Sequence, residues 1–167
     1  MLVIFQGGGV SMKRILFVLG SIIVLLVIGG YTYLKFNPPL ISSGITYYED
    51  DIVGVSVEII NNGFADAKLK TVLVDGNINE TVELGTSKTG HLILGGNLEE
   101  DENISFHKID EIAIHPKLTI EELNEDSDVV KHYGIRVFTE SAPKTVLIKY
   151  KYLFLTFELN VDVRRNM

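Results

Sequence analysis

Val146-Leu147-Ile148-Lys149-Tyr150-Lys151-Tyr152, then Leu155-Thr156-Phe157-Glu158-Leu159-Asn160-Val161-Asp162-Val163, alternate apolar and polar side chains with little interruption. A period of two is the signature of an extended strand with one face buried. Val146, Ile148, Tyr150 and Tyr152 share one face, and Lys149 and Lys151 the other. In the second run Leu155, Phe157, Leu159, Val161 and Val163 share a face, with Thr156, Glu158, Asn160 and Asp162 opposite. Only Leu153 and Phe154 separate the runs, so the two strands are expected to be neighbours joined by a tight turn, and to supply most of an aromatic core.

The same pattern recurs upstream. Val53, Val55, Val57 and Ile59 alternate with Gly54, Ser56 and Glu58, and Asn61-Asn62-Gly63 closes the run with residues that tolerate positive φ. Ala67, Leu69 and Leu73 are assigned inward against Lys68, Lys70 and Val72, with Asp75-Gly76-Asn77 as the next turn. Shorter strands are expected around Thr81–Leu84, His91–Leu94, Ile104–Lys108 and Glu111–His115. One helical signal interrupts. Thr119-Ile120-Glu121-Glu122 spells a capping box, which predicts a short helix to about Glu125 and an acidic loop to Asp128. Seven to nine short strands with regular turns predict an all-β fold, an antiparallel sandwich over residues 41–167.

Ahead of it, Ile15 to Leu34 is a run of 20 residues without a charge, directly behind Lys13 and Arg14. As a helix it is about 30 Å long, the thickness of a bilayer's hydrocarbon core. Tyr31, Tyr33 and Lys35 close it with groups that favour the interface. Two basic residues before the run against one after it predict a cytoplasmic N-terminus and an extracytoplasmic C-terminal domain at the cell membrane. The expected layout is a short cytoplasmic tail (1–14, with Met12 a candidate for the true start), a transmembrane helix or uncleaved signal anchor (15–35), a proline-containing linker (36–40) and the exported domain (41–167). A cleaved signal peptide is the competing reading, with Val27-Ile28-Gly29 as its cleavage site.

Composition narrows the function. The chain has no cysteine, which excludes disulfides, thiolate metal sites and thiol catalysis. Three of the 15 basic residues and none of the 22 acidic ones precede Phe36, so the formal charge of −7 for the whole chain becomes −10 for the remainder. That balance argues against nucleic acid and against docking on anionic lipid.

The stretch Val55-Ser56-Val57-Glu58-Ile59-Ile60-Asn61-Asn62-Gly63-Phe64-Ala65-Asp66-Ala67, continuing to Val74-Asp75-Gly76, resembles the opening hairpin of bacterial Ig-like modules of the CARDB type. Those modules carry a valine-rich strand ending in Asn-x-Gly, a following Ala, and a next strand ending in Asp-Gly. Tyr150-Lys151-Tyr152-Leu153 is similar to the closing strands of Ig-like domains in Gram-positive surface proteins. Desiccation-linked sandwiches that follow a single membrane helix offer a second resemblance. Either implies a binding or packing module and carries no catalytic residue onto this chain; the tryptophan and cysteine pair of antibody-type Ig domains are absent.

Motifs with chemical potential do not survive their context. Ser141-Ala142-Pro143-Lys144 and Lys88-Thr89-Gly90 spell the Ser-x-x-Lys and Lys-Thr-Gly of penicillin-binding enzymes, but in reversed order and with a strand where the serine needs a helix. His91, His107, His115 and His132 lack metal-ligand spacing. Glu99-Glu100-Asp101-Glu102 and Glu49-Asp50-Asp51 lack the alternation and central glycine of a calcium loop. Asn79-Glu80-Thr81 and Asn103-Ile104-Ser105 matter as glycosylation acceptors only in a eukaryotic host. Gly20, Gly29 and Gly30 do not form a helix-pairing motif. No catalytic, cofactor-binding or metal residue is therefore nominated. The expected function is a membrane-anchored, non-catalytic Ig-like module that contacts another envelope protein or a surface polymer, through strand edges or outward apolar residues such as Leu147. A structural or stress-related envelope protein is the alternative, and an extracellular hydrolase built on paired carboxylates a third.

Overall fold

The computed structural model of the chain describes residues 12–48, 54–78, 81–89, 102–119, 122 and 128–164. Contacts divide the chain into two compact units, Met1–Asn37 and Pro38–Met167. The first contains one helix, α1 (Met12–Phe36), of 25 residues with no acidic residue in its first turn, Lys35 in its last, and no buried residue. It is about 37 Å long and apolar enough to cross a bilayer, a property that membrane anchors and signal sequences share. Its hydroxyls are satisfied within the helix: Ser21 Oγ donates to the Phe17 carbonyl at 2.9 Å and Thr32 Oγ1 to that of Ile28 at 2.8 Å, the solution an apolar solvent requires.

The second unit is built of antiparallel strands: β1 (Leu40–Tyr48), β2 (Gly54–Asn61), β3 (Ala67–Val74), β4 (Asn77–Ile78), β5 (Val82–Ser87), β6 (Ile104–Lys108), β7 (Ala113–Ile114), β8 (His132–Phe138), β9 (Thr145–Tyr152) and β10 (Leu155–Asp162). They form two sheets. One has the order β1-β2-β8-β5-β6; the other runs β10-β9-β3-β4, with β7 also paired to β3. Val55, Val57 and Ile59 of β2, Leu84 of β5 and Ile135 and Val137 of β8 are buried in the first sheet; Ala67 and Leu69 of β3 and Val146, Ile148, Tyr150 and Tyr152 of β9 are buried in the second. Each large apolar side chain so withdrawn from water contributes about 1.5–3 kcal/mol. Hydrogen bonds tie the two sheets together. The Leu40 N–H donates to Tyr150 Oη at 3.4 Å, the His115 N–H to Tyr133 Oη at 3.3 Å, and Asn61 Nδ2 to the Ile114 carbonyl at 2.9 Å.

The C-terminal pair follows its sequence pattern, with Tyr152 opposite Leu155 and Thr145 opposite Asp162. Elsewhere the chain departs from the pattern for local reasons. A bulge between Leu69 and Thr71 inserts one residue into β3. Alternation therefore inverts, and Val72 and Val74 are buried in place of Leu73. β2 and β3 do not form a hairpin: they lie in different sheets, and residues 62–66 carry the chain across. Gly63 is needed there because a Cβ would stand 2.4 Å from Tyr152 Oη and 2.7 Å from its ring. Positive φ is found instead at Asp75, Gly76 and Leu153.

Three strands have no forerunner in the sequence pattern: the two-residue β4, whose Asn77 falls in the expected turn, β1 and β8. β1 is broken by a bulge between Ser42 and Gly44, and β8 carries Gly134 and Arg136 between its apolar residues yet sits in the middle of its sheet. The expected strand at His91–Leu94 lies outside the described residues. The capping box forms: the backbone N–H and Oγ1 of Thr119 donate to Glu122 Oε2 at 2.7 and 2.8 Å, and the Glu122 N–H returns to Thr119 Oγ1 at 3.3 Å. The helix expected to follow, to Glu125, lies outside the described residues apart from Glu122.

Candidate functional site

Strand direction sorts the loops onto two ends of the β unit. At one end stand the start of β1, the β2–β3 crossing and the β9–β10 turn. The other end holds the β3–β4 turn and the start of β9.

The first end contains a cleft with room for about 80 Å³, walled by the end of β2, residues 115–118 and the start of β8. Two histidines face it, each held by a carboxylate. His132 Nδ1 lies 3.2 Å from Glu58 Oε1, with both side chains largely buried. His115 Nδ1 lies 2.8 Å from Asp66 Oδ1 in a more open position. Gly44 makes room for the first pair: a Cβ there would stand 3.3 Å from Glu58 Oε2. A histidine oriented by a carboxylate is two-thirds of an acyl-transfer triad, and Ser87 is the cross-strand partner of His132. Its hydroxyl, however, accepts from the Thr89 N–H at 3.4 Å and lies 3.3 Å from Thr89 Oγ1, and the residue is fully buried. His132 therefore offers a largely buried imidazole for hydrogen bonding. Among the described residues no group of three or more His, Asp or Glu is placed to hold a metal ion.

Around the cleft, polar side chains hold backbone. Asn61 Nδ2 bonds the carbonyls of Ala65 and Ile114 while its Oδ1 accepts from the Gly63 N–H. Tyr152 Oη accepts from the N–H groups of Phe64 (2.8 Å) and Ala65 (3.2 Å). Burial pushes the phenols of Tyr133 and Tyr150 above their ordinary value, so both stay neutral as hydrogen-bonding groups. On β8, Arg136 is almost fully buried. It donates to Glu83 Oε2 from Nε (3.1 Å) and Nη2 (2.5 Å), and its guanidinium carbon lies 3.5 Å from the centre of the Phe106 ring.

The same end exposes large apolar side chains. Phe64 is 76% exposed, Phe154 80% and Leu153 44%. The Phe64 ring stands edge-on to Tyr152 with centroids 5.8 Å apart, which joins the β2–β3 crossing to the β9–β10 turn. Leu153 has φ 54°, a left-handed conformation that costs an L-residue about 1–2 kcal/mol. Beside this turn Lys68 and Lys151 are cross-strand partners on β3 and β9, both exposed. Farther along the sheet Lys149 is paired with Glu158 at 3.0 Å.

Among the described residues weighed from sequence, His115 and His132 come together at the cleft; His107 lies 3.4 Å from Thr86 Oγ1. Ser141-Ala142-Pro143-Lys144 is a loop leading into β9, at the opposite end from Lys88 and Thr89. His91, Gly90, Asn79 and the acidic stretches, Glu102 excepted, lie outside the described residues. Leu147 is half-buried, not an exposed contact. The apolar end is not among the sequence expectations, although it leaves a signal: a two-residue hairpin turn spelled Leu-Phe lacks the Gly, Asn or Asp that such turns favour. No family model, curated protein or solved structure matches the chain.

Proposed function

We propose that the chain is a membrane-anchored, extracytoplasmic module of the Ig-like sandwich kind, which works by binding another envelope protein or a surface polymer and not by catalysis. The observation that carries this reading is the strand order. The orders β1-β2-β8-β5 and β10-β9-β3-β4 support it, because they are compatible with the A-B-E-D and G-F-C-C′ orders of Ig-type sandwiches, with β6 added beside β5 and β7 beside β3. Such modules recruit by surface. The polar residues of this domain support that use, because Asn61, Tyr152 and Arg136 are engaged in holding the framework. The helix α1 supplies the anchor, and the basic pair Lys13 and Arg14 in its first turn, ahead of the apolar run, favours a cytoplasmic N-terminus.

The partner-binding surface is the cleft beside β2 and β8, whose rim includes Leu118 and Val130. Photo-cross-linking in membranes tests it. A photoreactive side chain at Leu118 is expected to capture one defined envelope protein or glycan that the same group at Ile78, at the opposite end, does not. Identical capture from the two positions would contradict the reading.

A further inference from the structure

The exposed apolar end of the domain is also the end at which the chain arrives from α1. Leu40 pairs with Asn61, and the Asn62 N–H donates to the Pro39 carbonyl at 2.8 Å. Pro39 therefore lies beside the crossing that carries Phe64. Only Asn37, Pro38 and Pro39 separate the last residue of α1 from β1, a connector that spans no more than about 3.3–3.6 Å per residue. Two independent features mark this end. Phe64, Leu153 and Phe154 stand in water on converging loops, and Leu153 occupies a left-handed turn position that glycine or asparagine would fill without strain.

We propose that Phe64, Leu153 and Phe154 are a lipid-contact tip, inserted into the surface of the bilayer that α1 crosses, with Lys68 and Lys151 placed to meet headgroup phosphates. This rests on the reading of α1 as a retained anchor. The chemistry is that of interfacial loops: aromatic and leucine side chains below the headgroups, ammonium groups level with them. Two lysines opposite each other on adjacent strands repel in water, and neither has an ion-pair partner among the described residues; an anionic headgroup layer removes that cost. The expectation drawn from a charge of −10 concerns the net charge of the domain; the lipid contact concerns this end alone, where Lys68 and Lys151 stand beside the turn and the acidic residue of the β2–β3 crossing, Asp66, lies 2.8 Å from His115 Nδ1.

The absence of cysteine makes the test direct. The full chain is reconstituted in phosphatidylethanolamine–phosphatidylglycerol vesicles as single-cysteine variants Phe64→Cys, Leu153→Cys, Phe154→Cys and Ile78→Cys, each carrying a nitroxide. Collision with a water-soluble nickel chelate and with lipid-soluble oxygen is then read by spin resonance. The tip labels are expected to show a several-fold drop in chelate collisions and a rise in oxygen collisions relative to Ile78→Cys, which reports the opposite end. Three tip positions keep the result independent of any one variant's folding. Tip labels as open to the chelate as the Ile78→Cys label, in a chain that alkaline carbonate does not extract, overturn this proposal alone. Extraction by carbonate overturns the anchor reading and this proposal with it.

Discussion

The domain reverses its chain through a two-residue turn at each end, and the two turns are built on opposite terms. Asp75-Gly76 uses residue types that adopt positive φ readily, at 49° and 83°. The Asp75 carboxylate accepts N–H groups from Lys144 at 3.0 Å and Thr145 at 2.8 Å. Leu153-Phe154 has neither glycine nor asparagine, holds Leu153 at φ 54°, and leaves Phe154 in water. The first turn is complete by the rules that govern a solvated hairpin. The second breaks two of them at once, in backbone conformation and in exposure. Sequences keep such local conflicts where a third party offsets them, and the lipid surface we propose would be that third party.

The contrast is broken most severely by changing what supports the Leu153 end. Gly63→Ala drives a methyl group into the buried Tyr152 ring. It is expected to cost about 2–3 kcal/mol, seen as a lowered midpoint in urea. An unchanged midpoint would mean that the crossing is not clamped by Tyr152. Tyr152→Phe keeps the ring but leaves the N–H groups of Phe64 and Ala65 without their acceptor. A loss of about 1–2 kcal/mol is expected, together with faster amide exchange at those two residues.

At the other end, Asp75→Ala removes a cap and is expected to cost about 1 kcal/mol at neutral pH. Burial alone would raise the Asp75 carboxyl. The N–H groups of Thr145 and Lys144 outweigh it, and the group titrates below its ordinary value of 3.8. A carboxylate lowered on folding stabilises above its unfolded value and loses that contribution as pH falls through the folded one. The gap between wild type and Asp75→Ala is therefore constant near neutrality and closes progressively below pH 3.8. A gap that widened in acid would contradict the assignment. The smallest effect sharpens the comparison most. Leu153→Asn relieves the left-handed leucine and is expected to raise stability by about 0.5–1 kcal/mol in the absence of lipid. The corresponding Asp75→Asn changes a residue that already suits its φ and brings no such gain.

What the sequence made legible was whatever a period of two could express. β9 and β10 alternate without insertions, so their faces, pairing and turn all follow from the residues. β3 shows the limit: one inserted residue near Lys70 exchanged the faces of Leu73 and Val72, and a bulge leaves no mark in a simple alternation. β8 has no clear alternation because Gly134 and Arg136 resemble interruptions in a linear sequence. In the sheet, Gly134 lies opposite Gly85, and Arg136 is covered by Phe106 and Glu83. The apolar end is a property of three loops brought together by strand order, and no local window contains Pro39, Phe64 and Phe154 at once.

The central proposal is an anchored chain whose β domain stands outside the cytoplasm. A membrane-impermeant maleimide applied to intact spheroplasts expressing Ile78→Cys tests that directly. Labelling without permeabilisation, in a membrane-bound species whose mass retains the segment Met12–Phe36, is the result expected. Labelling only after the membrane is opened, or a labelled soluble species lacking that segment, would contradict it.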